Sequence, residues 1–242
     1  MGLRATLALL GTVAFAAVGC AGGSEPEVEE QRVAQQPEEV DARAMLADAA
    51  ADRPMARPGV TPPGFRRRTA TADGFSIALP RRWHALRPSD ARSPGVLQTL
   101  GRARVGLRPY LMGLSMPDSP LRLLGFAPGE GDFATTITVL VSSMPEAVPY
   151  AQWSHRVVKQ VRTLSSLRGE VRVRHLRLAA GEALRLDYER RYRSSGHRVA
   201  TTQVVVASGE RLFTLTLATR PNERPVHTKA FAAAARSLTI SY

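Results

Sequence analysis

The stretch "GFSIALPRRWHAL", Gly74 to Leu86, decides how the chain is read. Phe75, Ile77 and Leu79 alternate with Ser76 and Ala78, the period-two pattern of a strand with one buried face, and Pro80 ends the pairing because it has no N–H to donate. The residues that follow have two readings. As a binding site, the Trp83 indole is a stacking platform, the His84 imidazole an acid, base or ligand, and Arg81, Arg82 and Arg87 draw anions. As part of the fold, Trp83 plugs one end of the core straight after the strand, while His84 and the arginines stay in water. A single aromatic behind a proline-stopped strand favours the plug; Arg81, Arg82, Trp83 and His84 are kept as the candidate binding set.

Downstream, strand and helix periods alternate. "LRLLGFAPGEGDFATTITVLVSS" predicts a hairpin, with strands near 121–127 and 133–142 around Pro128-Gly129-Glu130-Gly131. Tyr150, Trp153, Val157, Val161 and Leu164 recur at helical spacing and predict an amphipathic helix over 150–164. The segment Val171 to Leu178 reads as a strand whose alternation slips near His175-Leu176, as a bulge would make it do. Leu184, Leu186 and Tyr188 alternate with Arg185, Asp187 and Glu189, a half-buried antiparallel strand.

"RVATTQVVVA" and "RLFTLTLAT" flank Ser208-Gly209-Glu210 as another hairpin, and a closing helix begins at Pro225 with Val226, Ala230, Phe231, Ala234 and Leu238 on one stripe. Leu97, Leu100, Leu107, Leu111 and Leu114 approximate a further helical stripe broken by Gly101, Gly106 and Pro109, which predicts two short helical pieces or a helix and a loop. An antiparallel meander with helices packed on it defines an α+β fold, and one domain over 73–242 accommodates it.

Charge divides the chain unevenly. Residues 21–50 hold eight acids against Arg32 and Arg43, about −6, whereas residues 51–242 carry 30 basic and 13 acidic side chains, a net +17. Such a surplus attracts anionic lipid, acidic polymers or nucleic acid without fixing a fold. Because only Lys159 and Lys229 are lysines, it is also what an arginine-rich composition leaves on any solvated surface.

Cys20 is the only cysteine, so no intramolecular disulfide exists. It follows Met1-Gly2-Leu3-Arg4 and an apolar run from Ala5 to Val18, which is too short to span a bilayer as a helix and has the length of a signal-peptide core. The segment "AVGC", Ala17 to Cys20, resembles the lipobox of bacterial lipoproteins. That resemblance implies a signal peptide over 1–19, cleavage before Cys20, and acylation of Cys20 with palmitate-type chains as the membrane attachment. Residues 20–72, acidic and then proline-rich, are expected to be a disordered tether, with "VDARAMLADAAAD" a short transient helix within it. Arg66-Arg67-Arg68 near its end has two readings, contact with lipid phosphates, at about 1 kcal/mol per basic residue, or solvated linker charge.

"GFSIALPRRW", Gly74 to Trp83, resembles the opening strand of the Mog1/PsbP-like family, and "RLFTLTLAT" with "FAAAARSLTI" resembles its final strand and terminal helix. The resemblance implies an α/β/α sandwich built on an antiparallel sheet. It also implies a mostly non-enzymatic role, since members include a photosystem accessory subunit, a GTPase-binding protein and bacterial envelope lipoproteins.

Sequence motifs for catalysis are missing. His155, His175, His197 and His227 stand singly without metal-ligand spacing, and neither a nucleophile elbow nor a phosphate or dinucleotide glycine loop occurs. No enzyme, metal or cofactor is expected. Interleaved bases and aromatics are also missing, and with them the expectation of a nucleic-acid partner. The expected protein is extracytoplasmic and lipid-anchored in a bacterial cell envelope, with a non-enzymatic binding or accessory module for an envelope protein or an anionic lipid or polymer. The alternative is a carrier holding a small apolar ligand or lipid between the sheet and the Leu97–Leu114 region.

Overall fold

The computed structural model describes residues 60–93, 95–96, 100, 105–129, 133–144, 148–191 and 196–241. The signal stretch, Cys20, the acidic part of the expected tether with its short helix, and Leu97 lie outside the described residues.

β1 (Phe65–Ala70) and β2 (Phe75–Pro80) pair antiparallel, with Phe65 opposite Pro80 and Ala70 opposite Phe75. A 3-10 turn over Thr71–Asp73 links them and closes at Gly74. Its φ of 70° is left-handed, and a Cβ there would lie 2.9 Å from the Ser241 carbonyl oxygen. Glycine alone meets both demands. β10 (Thr239–Ile240) joins the other side of β2, completing a three-stranded sheet in the order β1-β2-β10.

The folded domain therefore includes Phe65–Ala70 and does not begin at Asp73, as the tether boundary had it. Three successive arginines read as linker charge, but an edge strand has a wet face that accepts them. Arg67 is held by hydroxyls, its Nη1 donating to Ser76 Oγ (2.6 Å) and its Nε to Thr61 Oγ1 (3.2 Å).

After β2 the chain crosses to a second, seven-stranded sheet. β3 (His84–Leu86) is its edge, pairing with β4 (Leu121–Phe126), which pairs with β5 (Thr136–Ser143). α3 (Tyr150–Arg162) then carries the chain to the far edge, β6 (Leu167–Leu178). From there β7 (Gly181–Arg191), β8 (Arg198–Ser208) and β9 (Arg211–Thr219) return as a meander until β9 pairs with β5. The order is β3-β4-β5-β9-β8-β7-β6, antiparallel throughout. Trp83 stands at the crossing between the two sheets.

Strand alternation sorts the core into layers. On one face Ile137, Val139, Val204, Val206, Phe213, Leu215 and Leu217 pack against β2 and α4 (Arg224–Arg236). Phe231, Ala234 and Ala235 of that helix supply its buried side. Ser237, just past its end, accepts a hydrogen bond from the Ala78 amide (2.8 Å) and donates to the Ala234 carbonyl (2.7 Å), fixing α4 to β2.

On the other face Leu184, Leu186, Tyr188 and Val205 meet Trp153 and Val161 of α3. Leu121, Leu124 and Phe126 meet Leu107 and α2 (Arg108–Ser115), preceded by the short α1 (Pro88–Ala91). Pro109 is tolerated because it sits in the first turn of α2, where its missing N–H has no intrahelical acceptor. Helices on both sides of an antiparallel sheet are the expected α+β sandwich.

Two details differ from the sequence reading. Val226 is 74% exposed. It precedes Phe231 by five residues, about 140° around the helix, and so points away from the apolar stripe. The slip in β6 lies between Arg168 and Arg172, around Gly169 with its φ of 70°, while Arg172 to Leu178 run in unbroken register with β7. His175 is thus in regular alternation, on the face opposite Leu176.

Candidate functional site

The four residues singled out after β2 do not converge. Trp83 is 9% exposed and lies in the core beside Phe75, Ile77 and Leu79, its ring edge-on to His227 with centroids 5.8 Å apart. Burial pushes the His227 imidazole below its usual value, with Glu223 opposing. His84 points to solvent and stacks on Phe126 (5.0 Å, 26°). Arg81 and Arg82 are exposed, and Arg81 Nε donates to the Phe65 carbonyl (3.3 Å). The strand period places the indole inside and the imidazole outside, so a shared platform and acid is not formed.

The β1 arginines are likewise parted. Arg67 is tied to Ser76, whose hydroxyl also bonds Thr239 Oγ1 (2.7 Å), while Arg66 is exposed. Partial burial lowers the Arg68 guanidinium from its usual value, and the neighbouring charges of Arg66 and Arg87 push the same way. The three arginines are parts of an edge strand that exposes cationic side chains.

Two arrangements were not foreseen. The first is a cleft of about 260 Å³ at the start of α3, lined by Val148, Tyr150, Trp153, Glu182, Ala207 and Gly209. The Tyr150 hydroxyl donates to the Ala183 carbonyl (3.3 Å) and shares a hydrogen bond with Nδ1 of His175. Burial, then the Glu182 charge, pushes the phenol up to about 12. A phenol that stays protonated is no general base at neutral pH; chemically it is a lock between α3 and β6.

The second is centred on Asp187. Its side chain is only 7% exposed and receives Arg185 through Nε to Oδ2 (2.8 Å) and Nη2 to Oδ1 (3.2 Å), Thr202 Oγ1 (2.6 Å) and Arg224 Nη2 (2.5 Å). Burial on its own would raise the carboxyl. The hydrogen bonds from Arg185 and Thr202, with the charges of Arg185 and Arg224, outweigh it and hold the group below its usual value. Strand alternation had put Asp187 on the wet side of β7. The Arg185-x-Asp187 spacing was the available signal, since residues two apart share a face.

Of the described leucines in the expected carrier region, Leu107, Leu111 and Leu114 are fully buried against β4, and Leu100 is partly buried against the same cluster. Among the described residues no cluster of His, Cys, Asp and Glu has the makings of a metal site, and no helix is long and apolar enough to cross a membrane.

No protein-family model and no curated protein matches the chain. Among solved structures it is similar to CyanoP, the cyanobacterial PsbP of Synechocystis sp. PCC 6803, at 14% identity over 76% of this chain and 97% of that one, with a TM-score of 0.46. It is also similar to LpqN, involved in cell envelope biogenesis in Mycobacterium tuberculosis, at 16% identity over 69% and 83% of the two chains, again with a TM-score of 0.46. A protein of unknown function from Pseudomonas aeruginosa, PA94, is similar at 19% identity over 51% and 84%, with a TM-score of 0.40.

Proposed function

We propose that the chain is a lipid-anchored cell-envelope protein, attached through Cys20, whose domain is a non-enzymatic binding module for an acidic surface: an anionic lipid or polymer, or an acidic protein partner. One observation carries this reading. β6, an edge strand, exposes arginines on both faces, Arg168, Arg172 and Arg174 on one and Arg177 on the other, and α3, packed on the second face, exposes Arg156, Lys159 and Arg162. Against them stand Glu170 on β6 and, on β7, Glu182 and the partly exposed Glu189, which is paired with Arg198. A surface of one sign draws oppositely charged partners from a distance and sets the rate at which they are met.

The anchor supplies durable attachment and the basic domain supplies selectivity. Two acyl chains hold where one is marginal, so domain charge is not needed for residence at the membrane. The expected result is that the wild-type protein expressed in its host incorporates labelled palmitate and Cys20→Ala does not. Equal labelling of the two, or none in the wild type, overturns the lipid anchor.

A further inference from the structure

The sheet surface next to the start of α4 carries more positive charge than its own carboxylate can balance. In the β6–β7 register Arg172 stands directly opposite Asp187, and Arg174 directly opposite Arg185. Directly opposed residues of an antiparallel pair project from the same face, and like charges so placed repel. Asp187 already serves two guanidiniums, Arg185 and Arg224. Arg172 and Arg174 are exposed, with no carboxylate partner among the described residues. Four arginines thus share this face with Asp187, and Glu189, two residues along β7, is taken by Arg198.

The inner pair is held in place. Arg185 is 21% and Arg224 29% exposed, so each guanidinium is braced from beneath by Asp187 while part of it reaches solvent. Arg185 spends its Nε and Nη2 edge on Asp187, and its Nη1 has no partner among the described residues. Arg224 spends Nη2 alone. Remaining N–H groups on pre-positioned guanidiniums bind an oxyanion with little further loss of side-chain freedom.

We propose that Arg172, Arg174, Arg185 and Arg224 form a phosphate-binding site, with Asp187 as the brace that positions the inner pair. Several planar forks on one patch suit a tetrahedral oxyanion with several acceptor oxygens. The phosphate belongs either to a lipid headgroup or to a soluble or polymeric phosphate ester. This proposal rests on the domain being a non-enzymatic binder of acidic surfaces and names the group it grips.

The test uses the chain from residue 20 onward carrying Cys20→Ser, so that neither the apolar signal stretch nor an acyl anchor enters vesicles. Binding is measured to inorganic pyrophosphate and to phosphatidylglycerol vesicles. Arg172→Ser/Arg174→Ser is compared with Arg156→Ser/Lys159→Ser, which removes the same charge from α3. The site predicts at least about a tenfold loss for the first variant and no more than about twofold for the second, the difference between directed contacts and diffuse attraction. Equal sensitivity to both phosphates points to a headgroup held by its phosphate alone, and preference for pyrophosphate points to a soluble or polymeric ester. Equal weakening by the two variants overturns the site while leaving a diffusely basic binder. Failure of the parent chain to bind either probe at about 1 mM also overturns it.

Discussion

Asp187→Ala is expected to lower folding stability by about 3–5 kcal/mol, because truncating one partner of a buried ion pair leaves the other charges without compensation. Arg185 and Arg224 converge on one oxygen of this carboxylate, and Thr202 adds a third donor there. Asp187→Asn keeps the shape but gives up the charge, so its cost follows pH. The folded carboxyl lies below the usual 3.8, so the unfolded chain takes up the proton first on acidification. The stabilisation is therefore complete above about pH 5 and is lost as pH falls through the folded value. Urea midpoints of wild type and Asp187→Asn should differ by a constant amount from about pH 5 to neutrality and converge below about pH 4. A gap that persists undiminished to about pH 2 contradicts the role given to the carboxylate.

Trp83→Ala is expected to cost about 3–5 kcal/mol as well, through a cavity where the two sheets meet. The partner ring gives this substitution a second readout. His227 is half-buried against the indole and lies below its usual 6.5, so it stabilises the fold above that pH, and the contribution is lost as pH falls through the folded value. Removing Trp83 admits water to the imidazole and moves its titration back up, which histidine NMR follows directly. Were Trp83 instead a solvent-facing platform, Trp83→Ala would leave stability within about 0.5 kcal/mol.

The elements legible in the sequence are those whose buried face repeats. The alternation of Phe75, Ile77 and Leu79 and the helical spacing of Tyr150 to Val161 each require one buried side, and both elements form as expected. β1 was hidden because its pairing depends on β2 and on hydroxyls at Ser76 and Thr61, and neither leaves a periodic trace in "RRR". β3 is three residues long, too short for a period to be seen.

The Asp187 cluster was hidden for a different reason. Its members lie 15 and 37 positions away in the chain, at Thr202 and Arg224, and only the β7–β8 register and the docking of α4 bring them together. Local pattern reports which face a residue is on. It does not report which distant residue shares that face, and a site assembled across strands depends on the latter.

Under the proposed function the domain grips an acidic surface of the envelope independently of the proposed acyl anchor. The most direct measurement mixes the chain from residue 20 onward, carrying Cys20→Ser, with washed envelope fractions of its own host and follows sedimentation against salt. Screening shortens the reach of surface charge severalfold between about 50 mM and 500 mM salt. The expected result is co-sedimentation at the lower concentration and release at the higher. A protein that stays in the supernatant at every salt concentration contradicts the claim.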